Sequence, residues 1–167
     1  MIDLLQKAVA KRARLLTPET NAVRLIDGGG DSLPGLILET YAGRWLVSTT
    51  GDRLAPQVRE WLRDQGVSCY WKRLDPHQKE SPMRLCGPEV SAPFLIREHG
   101  VCYEISFHAG YSQGIFLDQR DNRAEVRRLF EGFGKDGGYV LSASDHFFDV
   151  PPANLRVYAQ AAHACAY

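Results

Sequence analysis

No stretch of this 167-residue sequence approaches the roughly 18 consecutive apolar residues that a membrane-spanning helix requires. Its first residues alternate Lys and Arg with short apolar pairs, without a leader-like apolar block. The expectation is a soluble, untargeted, cytoplasmic protein with no membrane partner. An excess of one charge is also lacking. The chain carries 20 Lys and Arg against 20 Asp and Glu, which excludes the strongly basic class of polyanion binders. Cysteine is sparse: the four residues, Cys69, Cys86, Cys102 and Cys165, form no CxxC pair. That pattern excludes a disulfide-dense scaffold and an evident zinc site, so reduced thiols packed as small buried hydrophobes are expected, with no metal. There is no internal repeat or low-complexity tract. The length admits one domain of ordinary size, or one plus a fragment, and excludes two complete enzyme domains.

What is present reads as an α+β pattern. Leu4, Leu5, Ala8, Val9, Arg12, Leu15 and Leu16 fall at helical spacing over residues 3–16, and Pro18 stops the run. Residues 1–73 hold 11 basic and 8 acidic side chains, so the modest basic excess sits at the front. Lys7, Lys11, Arg12 and Arg14 are the candidate RNA contacts there. The alternative is a solvated charged face over a core-facing stripe. Ala22–Ile26, Leu36–Tyr41 and Arg44–Thr50 read as a three-stranded meander. The Gly28–Gly30 run between the first two is a plain loop, because a phosphate-binding loop needs a helix after it and here a strand follows. Asp52 is placed to cap a helix carrying Leu54, Val58, Trp61 and Leu62, with Gly66 as its left-handed exit. Val67–Arg73 reads as a strand, 75–89 as a polar loop, and Phe94–Arg97 with Val101–Phe107 as a hairpin. Strands joined by hairpins with few helices predict a mostly antiparallel sheet with flanking helices, followed by a short strand-helix tail.

Two segments carry a family resemblance. The first runs Thr20-Asn21-Ala22-Val23-Arg24-Leu25-Ile26-Asp27-Gly28-Gly29-Gly30-Asp31-Ser32-Leu33-Pro34-Gly35-Leu36-Ile37. The second is Gly114-Ile115-Phe116-Leu117-Asp118-Gln119-Arg120-Asp121-Asn122-Arg123. Together, and in this order, they resemble the hallmark segments of the large-subunit rRNA cytosine-C5 methyltransferase family, over residues 5–130. The resemblance implies a central α+β domain over 1–131, S-adenosylmethionine (SAM) as the full-length family's cofactor, and rRNA as substrate. It places Phe116, Asp118, Gln119 and Arg120 against the SAM domain as cofactor-binding residues. Chemically, Gln119 offers amide donors and acceptors, Arg120 a bidentate fork, Asp118 a carboxylate to orient that fork, and Phe116 an apolar wall. The alternative is that Asp118 or Asp121 caps the following helix while Arg120, Arg123, Arg127 and Arg128 make surface ion pairs with Glu125 and its neighbours.

In that family the SAM domain follows near residue 130 and needs well over ~100 residues, more than remain here. The expectation is a truncated methyltransferase-like chain, with no catalytic residue assigned, no cofactor bound by itself and no activity alone. A weak RNA-binding module using Lys7, Lys11, Arg12, Arg14 and Arg123 is the alternative. Residues 132–167 read as a linker plus a strand at Tyr139–Ser142 and an Ala-rich helix at Ala153–Cys165. This tail resembles the last strand and helix of uroporphyrinogen decarboxylase-like barrels, a distant alternative. The GxGxxG spelling at 132–137 lacks the strand before and helix after that a dinucleotide site requires. Apolar surface left by a missing domain, with Phe130, Phe133, Phe147 and Phe148 nearby, implies self-association.

Overall fold

The computed structural model describes residues 1–75, 77, 80–91, 93–129 and 131–132. The chain divides into two units, Met1–Arg120 and Asp121–Tyr167. In the first, a helix α1 (Ile2–Ala13) leads into β1 (Ala22–Asp27), a 3-10 turn (Gly28–Asp31), β2 (Leu36–Tyr41) and β3 (Arg44–Thr49). There follow α2 (Pro56–Asp64), β4 (Cys69–Arg73), β5 (Met83–Cys86) and a hairpin of β6 (Phe94–Glu98) and β7 (Val101–Ile105). A 3-10 turn at Leu117–Gln119 comes before α3 (Arg120–Leu129). Strands β1 to β5 form one sheet in sequence order, and β6 and β7 pair separately. Every pairing is antiparallel except β3 with β4, where α2 supplies the crossover that parallel neighbours need.

Alternation along the strands sorts the sheet into two faces. One face presents Val23, Leu25, Leu38, Val47 and Cys69 to Leu5 and Ala8 of α1 and to Val58, Trp61 and Leu62 of α2. A bulge in β1 between Arg24 and Ile26 puts Leu25 and Ile26 into the same core, which strict alternation would forbid. The other face carries Tyr41, Leu46 and Tyr70 at one end, where Ile96, Ile105, Phe107, Ile115 and Leu117 cover them. Further along the same face stand Arg24, Glu39, Ser48 and Lys72. Arg24 is the register partner of Glu39, and Ser48 that of Lys72.

Several expectations need correction. The second helix begins at Pro56 with Ala55 as its N-cap, not at Asp52. Proline's preset φ and missing N–H suit the first turn, and Asp52 instead pairs with Arg73 at 2.6 Å. Gly66 does supply the left-handed exit, at φ +68°. The loop expected over 75–89 contains β5, short and half exposed at the sheet edge, so it shows no alternation to read. The cysteines are not uniformly buried: Cys69 is, Cys86 is half-buried and Cys102 is exposed. In the second unit, α3 carries the expected surface ion pairs, Arg128 with Glu125 and Arg127 with Glu131. The expected strand and helix at 139–165, with Phe130, Phe133, Phe147, Phe148 and Cys165, lie outside the described residues.

Candidate functional site

The two sequence segments singled out above meet on the second sheet face. Arg24 of β1 points away from the helices because its neighbours Val23 and Leu25 point toward them. Its guanidinium donates to Glu39 Oε1 at 3.2 and 3.1 Å and to Asp27 Oδ1 at 3.0 Å, and it pairs with Asp118 Oδ1 at 3.4 Å. Tyr41 donates its hydroxyl to the other Glu39 oxygen at 3.0 Å. Burial opposes the charge on Arg24, yet Glu39, Asp27 and Asp118 outweigh it and raise its pKa. Burial, then Glu39, pushes the Tyr41 phenol well above its ordinary value, so it stays a neutral donor.

Lys72 of β4 anchors the approach to the second segment. Its ammonium donates to the Tyr111 carbonyl at 3.0 Å and to Gln113 Oε1 at 2.7 Å, and lies 4.3 Å from the centre of the Tyr111 ring. Burial lowers its pKa, with Glu39 opposing. The Gln113 amide donates to the Tyr111 carbonyl at 2.8 Å. Residues 111–118 are thus fixed at two points, by Lys72 and by Arg24. Between these polar groups lies a cavity of about 100 Å³, with Phe116 on its wall. Ile115 and Leu117 are buried in the core beneath, so alternation drives the intervening Phe116 outward, and that residue is 66% exposed.

The first segment has structural work that its sequence did not reveal. Asp31, at the end of the glycine turn, accepts from Arg12 at 2.6 Å and from the Asp27 N–H at 2.7 Å, while Arg12 also donates to the Leu25 carbonyl. Arg12, expected beside Lys7, Lys11 and Arg14 as an RNA contact, therefore faces inward. Lys7, Lys11 and Arg14 are exposed. Thr20 and Asn21 use their side chains to accept from the backbone N–H groups of His99 and Arg97, at 3.0 and 2.7 Å. No hydrophobic period could have flagged these two residues; a Thr-Asn pair just before a strand is the one available signal.

Asp118, expected to orient Arg120 or cap the helix, instead engages Arg24, because the turn it sits in packs against β1. Gln119 closes that turn through its N–H to the Phe116 carbonyl at 3.2 Å, and Arg120 and Arg123 stand on α3. Among the described residues no three His, Cys, Asp or Glu side chains group as a metal site. No described helix is long and apolar enough to cross a membrane. Cys69, the buried thiol, is held protonated first by burial and then by its neighbour Cys86.

Comparison with known proteins places these features in context. The chain is 29% identical over 166 residues to a ribosomal RNA large subunit methyltransferase of Deinococcus radiodurans, covering 84% of this chain and 40% of that one. It is 31% identical over 139 residues to the ribosomal RNA large subunit methyltransferase I of Shewanella denitrificans, covering 77% and 35%. Among solved structures, a protein classed as a SAM-dependent methyltransferase from Streptococcus mutans superposes with a TM-score of 0.64 at 29% identity, over 79% of this chain and 35% of that one. Another, classed as a methyltransferase and complexed with SAH, gives a TM-score of 0.62 at 29% identity, over 75% and 34%. No family model matches the chain. The chain thus spans about 35–40% of the length of these relatives. The sequence relatives are rRNA large subunit methyltransferases, one solved neighbour is classed as SAM-dependent and the other holds SAH, and the mixed, mostly antiparallel fold is shared with the solved structures. The barrel-like reading of the tail finds no support in them.

Proposed function

We propose that residues 1–131 are the central α+β domain of a SAM-dependent rRNA methyltransferase of the cytosine-C5 type, and that residues 116–120 present one wall of the cofactor and target pocket. The observation that carries this is the meeting of the two segments: Arg24 holds Asp118 at 3.4 Å while Ile115 and Leu117 anchor the chain and leave Phe116 outward. A loop fixed at both ends on a rigid sheet is how a binding wall is held to the tolerance that methyl transfer demands. Phe116 supplies apolar surface and Gln119 and Arg120 the polar groups. The rest of the pocket, and a cysteine nucleophile able to attack an extruded base, belong to a SAM domain that this stretch of chain does not supply. The 167-residue chain alone therefore transfers no methyl group.

The test is a chimera. Residues 1–123 replace the matched third of the Streptococcus mutans structural neighbour, and the product is assayed with labelled SAM and rRNA beside the isolated chain. Methyl transfer by the chimera, lost with Phe116→Ala and Arg120→Ala, supports the proposal. A folded chimera that binds SAH yet is indifferent to both substitutions refutes the assigned wall, and methyl transfer by the isolated chain refutes its incapacity. A weak RNA contact is the second reading, favoured by the exposure of Lys7 and Lys11 on α1 and of Arg14 at its C-terminal cap.

A further inference from the structure

We infer that Cys69 and Cys86 constitute a dithiol site that closes to an intramolecular disulfide on reaction with a small-molecule disulfide such as oxidised glutathione. The two residues are direct register partners on the antiparallel strands β4 and β5. Such partners have Cα atoms about 4.5–5.5 Å apart, inside the span of about 4.4–6.8 Å that a disulfide bridges. Both side chains also turn to the same side. Cys69 belongs to the helix-facing core, and a bulge in β5 sets both Leu85 and Cys86 against that core. Each sulfur is held by a weak contact from above or beside, Cys86 Sγ to the Leu62 carbonyl of α2 at 3.9 Å and Cys69 Sγ to the Tyr70 carbonyl at 3.7 Å. Nothing in the proposed methyltransferase role uses either thiol.

The difference in exposure fixes the order of events. Cys86, half-buried at the sheet edge, is the thiol a reagent meets first. It loses its proton to solvent, attacks one glutathione sulfur and expels the other as a thiolate, leaving a mixed disulfide on Cys86. Cys69 then releases its proton, its sulfur attacks that of Cys86, and the second glutathione leaves. Two protein thiols lose two electrons and two protons, and one oxidised glutathione becomes two reduced molecules. Burial holds the Cys69 thiol protonated, which slows the second step, while adjacency favours it over attack by any thiol from solution. The product staples the outermost strand to its neighbour. Cys102 is the internal control: it is exposed on β7 and its register partner is Arg97, so a glutathione attached there has no thiol opposite to displace it.

The test uses the full chain as C102S/C165S, which keeps only Cys69 and Cys86. After incubation with oxidised glutathione, intact mass spectrometry is expected to show loss of two hydrogens with no glutathione retained. Non-reducing peptide mapping should join the two peptides within one chain, and the Tm should rise above that of the reduced form. Adding C69A in this background should trap glutathione on Cys86. Glutathione retained on Cys86 while Cys69 alkylates freely after denaturation would overturn the inference. So would a disulfide between chains, or no reaction at either thiol under conditions that fully modify Cys102 in the unaltered protein.

Discussion

One carboxylate, that of Asp31, joins three segments: the glycine turn, the end of β1 and helix α1. It is 5% exposed, and its partner Arg12 is 18% exposed. Burial by itself would raise its pKa, but the hydrogen bonds from Arg12 and the Asp27 N–H hold it below the ordinary carboxylate range. The folded-state value thus lies below the unfolded one of about 4. The pair's contribution is complete above that pH and is lost as pH falls through the folded value. We expect Arg12→Met to cost about 2–4 kcal/mol in urea denaturation at neutral pH, since it strands a buried charge. The gap in Tm between wild type and Asp31→Asn should shrink as pH is lowered from 6 to 2, and a gap independent of pH would show that the ion pair contributes nothing. Arg12 also marks where sequence reading stops at this scale. Its place in a basic helix was plain, but its direction depends on a bulge and a 3-10 turn more than ten residues away. Thr20 and Asn21 were hidden for the same reason, since their partners lie on a hairpin over seventy residues downstream.

Elements with a strong local pattern were legible. The strands of the meander, α2 with its Gly66 exit and the β6–β7 hairpin all follow alternation or helical spacing, so only their ends shift. Strand β5 was not legible, because it owes its existence to its neighbour. It is short, half its residues are exposed, and it begins just after a Pro. What fixes its far end is Gly87, at φ +73°, where any side chain would press into the Val67 carbonyl and the Ser68 backbone. Gly87→Ala therefore combines left-handed strain with a backbone collision, and a loss of about 1–3 kcal/mol is expected. Hydrogen exchange should show the damage in β5 and the 67–68 turn, with the hairpin unaffected. Uniform loss of protection across the sheet would mean that the edge is not an independent element.

For the whole molecule, the family resemblance singled out two segments as the proposed site, and in the fold those segments meet. Segments some ninety residues apart in sequence become neighbours because β1 and the 117–119 turn pack together. The identity of the residues was readable; their pairing was not. Asp118, in the 117–119 turn, finds Arg24 of β1 in place of the nearby Arg120 that the resemblance offered as its partner. Balanced net charge sets a limit on nucleic-acid binding. With Lys7 and Lys11 on α1 and Arg14 at its C-terminal cap as exposed cations, log K for a single-stranded rRNA fragment should fall against log salt with a slope of about −2. K7E/K11E should flatten that slope and weaken binding to all sequences alike. A slope near zero would remove α1 as an RNA contact.

The outward ring of Phe116 has one more consequence. Because its neighbours on both sides are locked in the core, its backbone is already immobilised before anything approaches. A surface that covers the ring gains the release of its hydration water while losing little chain freedom, only the rotation of one aromatic side chain. The position acts as a peg set ahead of time, and its grip comes from Ile115 and Leu117, the buried anchors on either side.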